Sequence, residues 1–411
     1  MKKFYSPKTN SIIILVFFVL MENIFYLIDK DTFQILPGIS YLDTYLIFFL
    51  YFCFRSIKAI NKNIKYRFGW LVFGLLIFII ISAIKANLNS GQSILLGIGS
   101  QRDYFFILLS YYPINTLFKR NKINIKTLKK GFLFIGVLAG LIYFFQQVVY
   151  EQIIFVFVHS NYRYGSIRLY FDSALILISL FIALDYLFKK WKMKYLVVII
   201  IGFLYELFVS KGRLELLAVI TTIFIAYNLR SLSFNTRIFG AFFISILMYF
   251  FINSIYFDAF FDNGGSVVNN TTEIRNKGRS LYLLGLLSSI TNFIFGWGYP
   301  HISNAKAMQA SGADKNMFLV DNGLFGFFFV YGALGLSLIL SVYYKLLKFS
   351  IKIRKKVNDQ FHLYLVIFII FLSYNIIFWW WKPAWTLLLV ILMSYVELMY
   401  ERYAINKNRI M

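Results

Sequence analysis

Apolar blocks of roughly twenty residues recur along the whole chain, each long enough to cross a hydrocarbon core of about 30 Å as a helix. Inside lipid, backbone N–H and C=O groups have no water to bond, so spanning segments must satisfy themselves internally as helices. The blocks fall near 11–28, 40–54, 69–84, 104–118, 131–150, 172–188, 195–209, 214–228, 238–256, 318–344, 363–381 and 384–400. They predict an all-α, polytopic integral membrane protein with about twelve transmembrane helices. Of the 411 residues, 60% are hydrophobic and only 15% charged, against about 25% charged in an ordinary soluble domain. No stretch has the makeup of a separate soluble domain, so 1–411 reads as a single polytopic membrane domain.

The net charge of +24 would suit a nucleic-acid binder, but its distribution argues otherwise. Alternate loops and the two tails carry 29 of the 42 basic residues and only four of the 18 acids, Asp185, Asp359, Glu397 and Glu401. The other side is close to neutral. Positive charge gathers on the cytoplasmic side of membrane proteins, so both termini are expected in the cytoplasm. The excess charge is then a topological signal, aided by anionic headgroups, and implies no nucleic-acid partner. Lys2, Lys3 and Lys8 precede an apolar run, as in a signal peptide, but no small-residue cleavage site follows. The run reads as an uncleaved first helix. The single cysteine, Cys53, lies within an apolar block and cannot form an internal disulfide or a thiolate cluster.

The outer side holds one long loop, 257–317, and loops of this length are usually functional or disordered. Its polar start, Asp262 to Lys277, is expected to be a mobile lid, followed by a surface helix near 280–295. Arginine is scarce on this side. Arg163, Arg168, Arg213 and Arg279 stand at helix ends, where each either caps or snorkels, or together they form a forked cationic clamp for phosphate. Asp172 and Asp321 sit at the starts of spans. Asp321 could cap its helix or serve a site. His301, after the turn Gly296-Trp297-Gly298, has a pKa range suited to base work or is a plain interfacial histidine. Three scattered histidines make a metal site improbable. Trp379, Trp380, Trp381 and Trp385 read as an interfacial belt or as a platform for sugar rings.

Four stretches together resemble the O-antigen polymerase and ligase superfamily, including capsule polymerases of the Wzy type: RYGSIRLYFDSALIL, FVSKGRLELLAVI, GRSLYLLGLLSSITNFIFGWGY and DNGLFGFFFVYGALGL. The resemblance covers roughly residues 160–340. It implies a membrane glycosyltransferase, free of metal and cofactor, that joins undecaprenyl-diphosphate-linked oligosaccharide repeats into O-antigen, capsule or exopolysaccharide on the outer face of the cytoplasmic membrane. It also implies partners in a flippase and a chain-length regulator. Under it, Arg163, Arg168, Arg213 and Arg279 would bind the pyrophosphate, with Asp172, His301 or Asp321 as the base. The ligases' His-Asn pair is absent, with Asp321-Asn322 near its place, which favours a polymerase over a ligase. A lipid-linked oligosaccharide flippase is the other reading, although no internal repeat is visible.

Overall fold

The structure is a computed structural model, and it describes residues 6–28, 34–36, 39–40, 44–57, 64–163, 166–230, 266–315, 317–354 and 357–403, with isolated positions between 238 and 253. The described residues are helical apart from two short antiparallel hairpins and connecting turns. Five helices are long and apolar enough to cross a membrane: Gly69–Ser90, Ile125–Val149, Met193–Ser210, Leu324–Arg354 and Pro383–Tyr403. Pro7–Met21, Thr44–Ile57 and Phe361–Ser373 are shorter apolar helices. The protein is therefore all-α with helices suited to a membrane. The expected span at 238–256 lies, isolated positions aside, outside the described residues.

The chain forms two compact units, each drawn from three separate stretches of sequence. The first takes its residues from Met1–Asp43, Arg120–Asp262 and Val357–Phe368. Its centre is the helix Ala174–Lys189, buried on every face along most of its length, as expected of a helix that is apolar all round. Small residues let the backbones close up around it. A methyl group on Gly136 would lie 2.5 Å from the Leu175 carbonyl and the Ser179 side chain. Phe18 of Pro7–Met21 meets Phe132 edge-on at 5.1 Å, fixing the first helix against Ile125–Val149.

One end of this unit carries an ionic network. Asp185, 1% exposed, accepts from Arg230 at 2.9 Å, from Lys189 at 2.6 Å and from the Gln360 amide at 3.0 Å. Lys129 and Lys189 both pair with Asp359. Burial works against an ionised Asp359, but the two lysines outweigh it and hold its pKa down at about 2. These charges come from four separate chain segments, all of which the loop count assigns to one side.

The second unit takes its residues from Thr44–Lys119, Asn263–Lys356 and Ile369–Met411. Its central helix is Pro383–Tyr403, buried over nearly its whole length. Near that helix's C-terminal end, the fully buried Glu397 accepts from Asn115 at 2.9 Å, Lys119 at 2.6 Å, the Arg67 amide at 2.8 Å and the Tyr111 hydroxyl. Lys119 and Arg67 also reach Glu401.

Three expectations change here. The block 104–118 is two helices, Arg102–Leu109 and Tyr111–Lys119; Pro113 lacks an amide and crowds the carbonyl four residues back, at Leu109. The segment read as a mobile lid is helical from Ser266, in a helix that runs to Leu287 and is followed by Ile290–Phe295. Three of the four tryptophans expected in an interfacial belt are instead enclosed by protein, and the side chain of Trp381 lies outside the described residues. Trp379, Trp380 and Trp385 are buried, and two of their indoles donate to the Tyr343 and Tyr331 hydroxyls. Buried tyrosines meet the polar need of a buried indole N–H, a pairing that hydropathy cannot reveal.

Candidate functional site

The four stretches singled out in the sequence meet in pairs, one pair inside each unit. In the first unit, Ser160–Arg163 and Ser166–Leu169 form an antiparallel hairpin with Arg163 opposite Ser166. From its second strand Arg168 donates through Nε to the Ser210 carbonyl at 2.6 Å, and its guanidinium lies 4.4 Å from the Tyr170 ring. Lys211 returns the contact by donating to the Ile167 carbonyl. This clasp needs the turn at Ser210–Arg213. The helix Met193–Leu204 widens into a π-helical turn, Tyr205–Ser210, which ends on Lys211 with φ +48°. Such turns break the regular ladder and often occur at functional sites. Burial and the adjacent Arg168 both depress the Lys211 pKa. Arg213 opens the next helix, Arg213–Leu229, whose Glu215 accepts from Ser173 and from Ser210 at 3.2 Å. Asp172, 5% exposed, accepts from the Ala174 amide at 3.0 Å, a local cap on the central helix.

In the second unit the turn Gly296-Trp297-Gly298 docks onto the long helix Leu324–Arg354 where that helix breaks at Gly332, φ +68° and ψ −173°. The break hands the carbonyls of Phe329 and Val330 to the amides of Trp297 (2.7 Å) and Gly298 (3.2 Å). The backbones touch only because both partners are glycine: a methyl on Gly296 would sit 2.1 Å from the Val330 oxygen. His301 follows. Its amide donates to Gln92 at 2.7 Å, and its Nδ1 accepts from the Ser303 amide at 3.1 Å. A backbone amide can only donate, so the neutral ring carries its proton on Nε2. The same Nδ1 lies 2.6 Å from the Ser303 hydroxyl.

Arg279 and Asp321 lie in the same unit, where three segments converge. Arg279 stands on the helix Ser266–Leu287. Asp321 belongs to the tight turn Val320–Asn322, and the third segment is the turn Tyr374-Asn375 that ends the helix Phe361–Ser373. Gly278 abuts the Asn322 amide, with 3.1 Å left for a methyl. Gly323, φ +51°, lies against the backbone of residues 373–375, where a methyl would have 2.6 Å. Arg279 Nη2 donates to Asn375 Oδ1 at 3.0 Å, and its guanidinium lies 5.2 Å from the Phe325 ring and 5.7 Å from the Tyr374 ring. Its Nε is buried and has no hydrogen-bond partner among the described residues. No carboxylate among those residues pairs with it.

Asp321 is half-buried, and no side-chain hydrogen bond or ion pair engages its carboxylate among the described residues. Burial and this neighbouring carboxylate push the Tyr282 phenol up, against the hydrogen bond from Asn322. A guanidinium and a carboxylate, neither ion-paired among the described residues, therefore stand on a helix and a turn that meet at Gly278 and Asn322. Asn375 was not among the sequence candidates. Its one signal there is a polar Ser-Tyr-Asn run inside an apolar block.

No protein-family model matches the chain, and no curated protein matches it in sequence.

Proposed function

We propose that the protein is a membrane glycosyltransferase that polymerises undecaprenyl-diphosphate-linked oligosaccharide repeats into a surface polysaccharide. About twelve spans with both termini in the cytoplasm would put the reaction on the outer face of the cytoplasmic membrane. The observation that carries this reading is the guanidinium of Arg279, held only by neutral groups among the described residues, on a helix that touches the turn of Asp321, whose carboxylate has no partner among them. A cation kept without a counter-charge in a half-buried place is matched to an anionic ligand. In the proposed reaction the acceptor hydroxyl attacks the anomeric carbon of the growing glycan. The bond from that carbon to the carrier diphosphate breaks, and the diphosphate leaves with its electron pair. Arg279 stabilises the charge that develops there, and Asp321 takes the hydroxyl proton. Arg168, five residues after Arg163 in the hairpin and bonded to the Ser210 carbonyl in the turn that leads into Arg213, is a second basic site for a diphosphate.

The test is the length of surface glycan in cells lacking the chain, with Arg279→Ala expressed at wild-type level. Single-repeat glycans and lipid-linked repeats accumulating outside the membrane in both strains are the expected result. Repeats trapped on the cytoplasmic side would replace this reading with a flippase. Full-length polymer that stays on its lipid carrier would replace it with a ligase.

A further inference from the structure

Arg279 is held differently from Lys119, Lys129 and Arg230; like Lys85, which donates to Thr291 Oγ1 at 3.3 Å, it is held by neutral groups among the described residues. Lys119 is fixed by Glu397 and Glu401, Lys129 by Asp359, and Arg230 by Asp185. Each of those cations is neutralised where it stands. Arg279 receives a hydrogen bond acceptor of the same shape as a carboxylate but without its charge, the Oδ1 of Asn375. We propose that Asn375 is a positioning residue, which fixes the Arg279 guanidinium by its amide while leaving its charge without a directly bonded carboxylate, open to a lipid-linked diphosphate. This rests on the reading of Arg279 as a diphosphate ligand.

The geometry supports that role in three ways. The guanidinium is planar with five N–H donors in a fixed fork, so one bond at Nη2 together with the Phe325 and Tyr374 rings sets its plane. The buried Nε remains without a partner among the described residues, and a planar fork with open donors suits a phosphate. The Asn375 turn is itself pinned, by its amide to the Leu372 carbonyl at 3.1 Å and by the backbone contact with Gly323. An aspartate in its place would accept the same bond with charge assistance, and it would also supply a directly bonded counter-ion, which no described residue now gives Arg279.

That distinction gives the experiment. The full-length protein is purified in detergent, and its binding of undecaprenyl diphosphate and its thermal midpoint are measured for wild type, Asn375→Asp, Asn375→Ala and Arg279→Ala. Asn375→Asp is expected to keep or raise the midpoint yet weaken diphosphate binding by about tenfold or more, as Arg279→Ala does. Wild-type binding by Asn375→Asp overturns the proposal, because a merely structural amide tolerates that change. If the aspartate variant does not fold, Asn375→Ala decides: a loss of a few fold supports the role and unchanged binding overturns it. Phosphatidylglycerol at matched concentration is the competitor. Displacement by it would assign the site to ordinary headgroups and overturn the lipid-diphosphate class. Binding is read without polymerisation. A chain that binds through Arg279 and Asn375 but leaves glycan length unchanged in cells loses the polymerase reading alone. A chain required for glycan length whose Asn375→Asp variant binds normally loses this inference alone.

Discussion

Two side chains in the second unit show opposite ways of holding an ion away from water. Glu397 is wholly enclosed and meets a lysine, an asparagine, a tyrosine and a backbone amide, so nearly all of its acceptor capacity is used. Arg279 is fixed by an amide and two rings, and part of its donor capacity stays open. The first arrangement serves stability, because removing one partner of a buried pair leaves the other charged and unsatisfied, at about 3–5 kcal/mol. Glu397→Ala is accordingly expected to lower the thermal midpoint steeply or to abolish monodisperse protein on size exclusion, whereas Arg279→Ala should leave both nearly unchanged. A Glu397→Ala protein that melts like wild type would show that the network is dispensable. Both residues were visible in the sequence as ionisable groups beside apolar blocks. Their partners were not, since Asn375 lies 96 residues from Arg279 and Lys119 278 residues from Glu397.

Among elements, the junction of Gly296 with Gly332 decides the geometry of the second unit. A helix that ran unbroken through Gly332 would keep the Phe329 and Val330 carbonyls for itself and leave the Trp297 and Gly298 amides without partners. Breaking the helix transfers those acceptors, and Trp297 then stacks on Phe329 with ring centroids 5.5 Å apart. A β-carbon at Gly332 would fall 2.3 Å from the Gly296 nitrogen and 2.4 Å from the Ile294 carbonyl, at a φ that L residues rarely adopt. Gly332→Ala should therefore cost at least about 1–3 kcal/mol, read as a lowered thermal midpoint, while Gly99→Ala, with open space around its β-carbon, should be neutral. Equal midpoints for the two variants would refute the junction. The glycines were legible as turn signals, but their meeting was not, because they stand in segments that the sequence reads as separate turns and spans. The helix beginning at Ser266 was missed for a related reason. Its first residues are polar and rich in Asn and Thr, which local propensity assigns to loops, yet the element forms as part of a longer helix.

At the scale of the whole molecule, charge sorting and packing agree within each unit. Lys129, Asp185, Lys189, Arg230 and Asp359 meet at the C-terminal end of the central helix Ala174–Lys189, while Arg168 and Asp172 stand at its start. In the second unit Lys345 donates to the Arg67 carbonyl within the Glu397 network, and Asn322 and Arg279 lie near the opposite, N-terminal end of the helix Leu324–Arg354. Residues that the loop count put on one side thus share one end of each unit. Sidedness itself is checked by cysteine labelling in a Cys53→Ser background. Lys306→Cys, on an exposed part of the long loop, should react with a membrane-impermeant maleimide in intact cells, and Lys122→Cys only after permeabilisation. The reverse pattern would invert the topology and remove the outer-face reaction.

The sequence by itself determined that the chain is all-α with apolar helices suited to a membrane, where most of those helices stand, and which charges gather at one end. These follow from hydropathy and loop charge, which are properties of a short segment and its solvent. Only the tertiary structure decided that Trp379 and Trp380 are buried against tyrosines, that the helix at Gly332 opens to receive another segment, and that an uncharged amide holds Arg279. Each is a contact between groups far apart in sequence, fixed by packing and by the need to satisfy buried polar atoms, and no local pattern of residues encodes it.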